Sequence, residues 1–484
     1  MDGYVGSLWW VRFALQRGLA AIYLVAFLSA LLQLPALIGE RGLLPMAELL
    51  RGARFLEAPS VFHLRHGDRF ASAVALLGIA LSAATLSGVT EAGPLWLSVA
   101  VWLTLWALYL SIVNVGQDFY AFGWESMLLE AGFFASFLGP SRMAPSAIPV
   151  LLLRWMLFRV ELGAGLIKLR HDRCWRDLTC LYFHYETQPL PNPLSWYFHR
   201  LPRPLHRFSV AFSHGVQLVA PFGLFAPQPV ASISGALAIF HQLWLVVSGN
   251  YSWLNWLTIV LGFSALSIPA AAPVTLTARP PAYETLAWIL VGVTIALSVK
   301  PILNLASKSQ AMNLSYNPLH LVGTYGAFGQ VTRERFEVVL EGTESEDPTA
   351  ENAQWREYEH KGKPGDVQRM PPQVAPYHLR LDWLLWFLPF STQVLGDRVI
   401  TFGYEPWFTR LVERLLQADR ATLRLLGRDP FAGRAPRFVR ARYYRYRYTD
   451  WGERRRTGAW WSRTLVGDYM PPMSLQDIRR LTIG

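Results

Sequence analysis

Residues 1–304 are a succession of long apolar runs divided by short polar breaks, and residues 305–484 contain no run of that length. A helix that crosses a bilayer needs ~20 consecutive, mostly apolar residues, and it satisfies its backbone polar groups internally. Runs of that kind lie at 19–38, 70–88, 95–113, 124–139, 147–169, 208–226, 230–249, 252–268 and 285–304. They predict a polytopic α-helical membrane protein with about nine transmembrane helices. The run at 124–139 is short and carries Glu125 and Glu130, so it is expected to be partly re-entrant. Polar loops at 39–69 and 170–207 interrupt the bundle. The opening MDGYVGSLWWVRFALQRGLAAIYLVAF lacks a small-residue cleavage site and reads as a signal-anchor first helix.

Composition agrees. Charged residues are 16% of the 484, against ~25% in soluble domains, and 20 Trp suit aromatic belts at the membrane interfaces. The net charge of +11 points to anionic lipid headgroups rather than nucleic acid, because the Arg residues sit in the loops and tail of a hydrophobic chain. From 305 onward the chain is charged and rich in Pro and Gly, which predicts a separate water-exposed α+β domain over 305–484, large enough for its own core. Strands are expected at 335–343, within 355–366 and at 444–448, and an amphipathic helix at 406–426. YRYRY at 444–448 alternates strictly, giving one aromatic and one Arg face; this solvated Arg face is preferred over a nucleic-acid patch in ARYYRYRYTDWGERRR. Arg12 and Arg17 favour a cytoplasmic N-terminus, which puts both polar loops and the C-terminal domain outside.

The segment 151–197 carries the chemistry. Its apolar helix contains Arg154, Glu161 and Lys168, spaced by seven and therefore on one stripe. Ionisable groups at bilayer depth are costly and are functional candidates by default. A partly buried Lys168 beside Gly163 and Gly165 is a candidate general base; the alternative is a Lys that snorkels to the surface. Arg154 and Glu161 are expected to form a structural ion pair, or else to line a cavity with Lys168 and the 171–188 loop. That loop supplies candidate client- or ligand-binding residues: Asp172, Trp175, His184, Tyr185, Glu186 and Gln188. The His spacings and the separation of Cys174 from Cys180 do not fit a metal site, and no cofactor motif occurs, so neither metal nor cofactor is expected. The two Cys can pair or stay reduced. No G-x-S-x-G elbow is present, which excludes an ordinary α/β-hydrolase.

Several long stretches resemble the lipase maturation factors: GAGLIKLRHDRCWRDLTCLYFHYETQPLPNPLSWYFH (163–199), SGNYSWLNWLT (248–258), TYGAFGQVTRERFEVVLEGT (324–343), YEHKGKPGD (358–366), YHLRLDWLLWF (377–387) and RDPFAGRAP (428–436). The resemblance covers the chain from about 120 to its end, in the family's order. It implies an integral membrane factor that assists folding and assembly of secreted lipases, with the client contacted through 305–484. It implies a C-terminal domain in the periplasm of a bacterial inner membrane or in the lumen of the endoplasmic reticulum. Ala164, Gly165, Lys168, Leu169 and Trp175, with Gly42-Leu43-Leu44-Pro45, are more distantly similar to the vitamin K-dependent γ-carboxylase superfamily. That likeness implies the alternative, a membrane-embedded enzyme with Lys168 as its base.

Overall fold

The computed structural model describes residues 2–395 and 398–483. Residues up to Ala306 are helical: α1 (Asp2–Leu37), α2 (Asp68–Ser87), α3 (Leu95–Val115), α4 (Gly123–Ala135), α5 (Ala147–Arg170), α6 (Arg203–His214), α7 (Val230–Ser248), α8 (Leu254–Gly262) and α9 (Pro281–Ala306). Local signals set the ends. Asp68 favours the start of α2, which stops at Gly88 in the left-handed conformation at φ 92°, and Ser146 caps α5 by accepting from the Ile148 amide at 3.4 Å.

Among the described residues, five helices are long and apolar enough to cross a membrane: α1, α2, α3, α7 and α9. The chain is an integral membrane protein. The other expected spans are helical but miss that standard for visible reasons. The run 124–139 yields only α4; α5 carries Arg154, Arg159 and Glu161; α8 is short. The run 208–226 changes winding, since α6 passes into a π-helical turn (Gly215–Val219) before a short helix, Ala220–Gly223.

Two ends of the bundle are defined by hydrogen bonds. At one end Trp9 donates to the Ser141 carbonyl at 2.8 Å, Arg12 to Met143 at 2.7 Å, and the Ile268 amide to Ser7 at 2.9 Å. At the other end Gln33 donates to the His378 carbonyl at 2.6 Å, Gln117 to Leu44 at 2.9 Å and Asn250 to Pro372 at 2.9 Å. The loops 39–69 and 170–207 contact the region after α9 as well, through Glu48 with Arg410, Asp172 with Arg333 and Glu186 with the Tyr448 amide.

Past α9 lies an α+β region. A four-stranded antiparallel sheet runs in the order β2-β1-β5-β6, with β1 Arg335–Thr343, β2 Arg356–Glu357, β5 Phe438–Tyr448 and β6 Trp461–Met473. A hairpin, β3 (Thr392–Leu395) with β4 (Arg398–Thr401), lies against β6. Two further helices are α10 (Arg380–Leu385) and α11 (Pro406–Leu416). On β5, Tyr446 and Tyr448 are buried and Arg445 and Arg447 exposed, as the alternation predicts. The strand expected within 355–366 shrinks to Arg356–Glu357, because at Glu359 the chain leaves β1 and bridges to Arg428 before the turn at 362–365. The helix expected over 406–426 breaks between Leu416 and Arg420, where Ala418 takes φ 49°.

One continuous apolar core extends from Val11 in α1 to Met470 in β6. Buried ion pairs and the hydrogen bonds around them fasten the two parts. Glu125 of α4 meets Arg380 of α10 at 2.6 Å, with Tyr109 donating to the same carboxylate. Glu130 pairs with Arg159 of α5 and accepts from Tyr325 Oη at 2.6 Å and the Gly323 amide at 3.0 Å. Arg335 pairs with Glu337 at 2.5 Å and donates to the carbonyls of Glu186 and Pro189 at 2.9 and 3.0 Å, so β1 holds the loop after α5.

Candidate functional site

A cavity of about 1780 Å³ opens where the bundle meets the C-terminal region. Its floor comes from α5. Glycines on both faces of that helix permit the approach of two neighbours. A Cβ at Gly163 would collide with the Tyr325 carbonyl, and one at Gly165 would stand 2.7 Å from Leu218 Cδ2 and 3.0 Å from Gln217 Cβ. The glycines thus admit backbone on one side and the π-helical turn on the other. A π turn inserts a residue and re-aims its side chains. Here Gln217 is turned to α5, where its Oε1 accepts from Lys168 Nζ at 2.7 Å.

Lys168 is only 7% exposed and its ammonium lies 5.0 Å from the centre of the Trp175 ring. It does not snorkel out to water. Glu161, two turns earlier on the stripe, accepts from Gln242 Nε2 at 2.9 Å, and Asn255 donates to Gln242 Oε1 at 2.6 Å. Both ionisable side chains line the cavity.

Arg154 does not line it. The seven-residue spacing keeps Arg154 on the stripe but places it roughly 10 Å further along the axis. There its guanidinium donates to the Ser264 carbonyl at 3.1 Å and the Leu224 carbonyl at 3.2 Å, tying the end of the short helix Ala220–Gly223 to the turn after α8. The expected Arg154–Glu161 pair is not formed. The charge that α5 does pair is Arg159, whose partner Glu130 lies on α4.

The 171–188 loop forms the wall and is covalently closed by a disulfide between Cys174 and Cys180. Asp172 caps the turn through the Cys174 amide at 3.0 Å, accepts from the Val331 amide at 3.2 Å and pairs with Arg333 at 2.8 Å. Burial works to raise the Asp172 carboxyl, but Arg333 and the two amides hold it below the ordinary carboxylate value. Trp175 Nε1 donates to the Phe328 carbonyl at 2.8 Å. His184 Nε2 meets Tyr251 Oη at 2.9 Å, and Tyr251 donates on to Gln188. Burial, aided by the charge on Lys168, pushes His184 down to about 3, so it is neutral at physiological pH. Gln188 Nε2 in turn reaches Ser195 Oγ at 2.8 Å and the Ser248 carbonyl at 3.1 Å. Asp172, Trp175, His184, Tyr185 and Gln188 all face the cavity.

Glu186 faces the other way. Its carboxylate accepts from the Tyr448 amide at 2.6 Å and stands 3.7 Å from His199, so it joins the loop to β5. Burial raises its pKa above the usual carboxylate range. The polar residues of the cavity that escaped sequence reasoning include Gln217, His241, Gln242 and Asn255. The available signal was a polar side chain inside an otherwise apolar helix, present in α7 at His241 and Gln242.

The chain matches the lipase maturation factor transmembrane domain over residues 10–271 and the lipase maturation factor C-terminal domain over 321–471. It belongs to the lipase maturation factor family. It is 42% identical to Lipase maturation factor 1 of Bos taurus over 98% of this chain and 91% of that protein. It is equally similar to the Homo sapiens Lipase maturation factor 1, again over 98% of this chain and 90% of that protein. Lipase maturation factor 2 of Homo sapiens is 30% identical over 95% of this chain and 82% of that protein. No solved structure matches.

Proposed function

We propose that this protein is a membrane-embedded maturation factor for secreted lipases, acting by binding its client rather than by turnover. The observation that carries this reading is identity of 42% to a lipase maturation factor along 98% of the chain, bundle and sheet together. We read all nine helical runs as membrane passes, with the N-terminus cytoplasmic and 305–484 in the periplasm or the lumen. The alternation of bundle ends supports an odd number of passes, and the Cys174–Cys180 disulfide suits an oxidising compartment. A reporter fused after residue 310 is expected on the extracytoplasmic side; a cytoplasmic signal overturns the count.

The client-contacting surface is assigned to the β3–β4 hairpin and its flanks. Leu395, Ile400 and Phe402 are exposed there, beside Phe387 and Phe390 at the cavity mouth. A clustered apolar patch on a water-facing surface marks a protein contact. Leu395→Ser with Phe402→Ser is expected to abolish lipase maturation in a complementation assay while leaving abundance unchanged. Full maturation by that variant overturns the surface. Truncation at residue 305 is a poorer test, because it strips Glu125 of Arg380 and Glu130 of Tyr325.

A second reading, an enzyme with Lys168 as base, is favoured by the placement of that amine inside the cavity. Lys168→Met at normal abundance, capturing client but failing to mature it, supports this reading. Normal maturation by Lys168→Met dismisses it.

A further inference from the structure

The floor of the cavity leaves polar atoms unused. Lys168 Nζ spends one of its three N–H groups on Gln217. Glu161 gives one oxygen to Gln242, while its Oε2 has no hydrogen-bond partner, although the residue is only 1% exposed. His241 Nδ1, on a residue 2% exposed, has none either. Buried groups left this way cost free energy unless something completes them. At about 1780 Å³ the cavity exceeds the ~300–1,000 Å³ usual for small-molecule pockets and has room for an acyl chain.

One wall faces away from the protein. Phe208 of α6 and Phe240 and Trp244 of α7 line the cavity, yet they are 66%, 56% and 37% exposed. Helices α6 and α7 touch where the rings of Phe212 and Phe240 meet at 5.8 Å. Phe240 and Trp244 sit on α7, one of the five helices long and apolar enough to span, so their exposed faces stand against hydrocarbon. A ligand passing this wall arrives from the membrane.

We infer that the cavity binds a glycerolipid with a free hydroxyl, a mono- or diacylglycerol, admitted from the bilayer between α6 and α7. Charge selects the head. Lys168 and Glu161 together are neutral, so a phosphate would set a second anion beside Glu161, and a quaternary ammonium would crowd Lys168. A neutral head fits if it accepts from Lys168 and donates to Glu161 Oε2. The two residues lie two turns apart, roughly 10 Å along the axis, which suits ester carbonyls and hydroxyls spread over a glycerol rather than a lone carboxylate. The acyl chain then lies along Phe208, Phe240 and Trp244.

The inference does not rest on the maturation reading, and its test uses no lipase. The full chain in phosphatidylcholine nanodiscs is photolabelled with a monoacylglycerol carrying a diazirine in its acyl chain, and the adducts are mapped by peptide mass spectrometry. Adducts are expected within 208–212 and 240–245. Unlabelled monooleoylglycerol is expected to compete; oleic acid and phosphatidylglycerol are not. Glu161→Gln is expected to lower labelling about five-fold, the effect of one weakened hydrogen bond. Ala164→Phe, an apolar change that fills the floor, serves as a second variant and is expected to abolish labelling at wild-type abundance. Adducts spread over the outward face of α9, or equal competition by oleic acid or phosphatidylglycerol, overturn the inference.

Discussion

Two sets of buried charges in this protein are treated in opposite ways. The carboxylates of Glu125 and Glu130 are saturated: each has an Arg and further donors, Arg380 and Arg159 keeping only an unpartnered Nε, and each pair joins segments distant in the chain. Glu161 and Lys168 sit at similar burial but are partnered by amides, with an oxygen and two N–H groups left over. The lesson is that a charge at membrane depth is not by itself a site. A saturated pair holds the architecture, whereas an unsaturated one is open to a ligand.

Removing one partner of a saturated pair is the strongest way to break that contrast. Arg380→Met leaves Glu125 uncompensated and is expected to cost about 3–5 kcal/mol, seen as lost abundance and lower thermal stability in detergent. Adding Glu125→Leu to that variant is expected to recover much of the loss, because no bare charge then remains. A double variant as unstable as the single one would mean the site fails through packing instead. Next in size, Gly165→Leu drives the π turn off α5 and is expected to cost about 1–3 kcal/mol while separating Gln217 from Lys168. Opening the short disulfide loop with Cys174→Ser and Cys180→Ser is expected to cost about 2 kcal/mol, read by protease sensitivity of the 171–188 loop. The smallest effect belongs to the surface pair Arg447–Glu453, 2.5 Å apart but half exposed on the Arg side, where Arg447→Ala is expected to change stability by less than about 1 kcal/mol.

How much of this was legible in the sequence divides along the same line. The apolar runs mark the nine helices, since an amphiphilic or apolar helix is a local property. The stripe of α5 and the loop behind it were also legible, and five of six loop candidates reach the cavity; Glu186 points to β5, where its carboxylate accepts from the Tyr448 amide. Depth and partnership were not legible. A spacing of seven tells the side of a helix but not which neighbour lies at that level, so Arg154 was grouped with Glu161 and Arg159 overlooked. Arg380 reads as part of a buried stretch, but its partner Glu125 is 255 residues away. The π turn that brings Gln217 to Lys168 has no local sequence mark. Strand β6 was missed because Gly467, Pro471 and Pro472 argue against a strand; it is an edge strand with bulged pairing to β5, where those residues are tolerated.

The most direct test of the central claim compares two chemically identical changes, Glu125→Gln and Glu161→Gln, for abundance and thermal stability in the same membranes. Glu125→Gln leaves Arg380 without its counter-charge and is expected to deplete the folded protein. Glu161→Gln keeps a hydrogen-bonding side chain beside Gln242 and is expected to leave abundance near wild type while lowering labelling of the cavity by monoacylglycerol. Equal losses of abundance for the two, or a stable Glu125→Gln beside an unstable Glu161→Gln, would contradict the division between saturated and open charges.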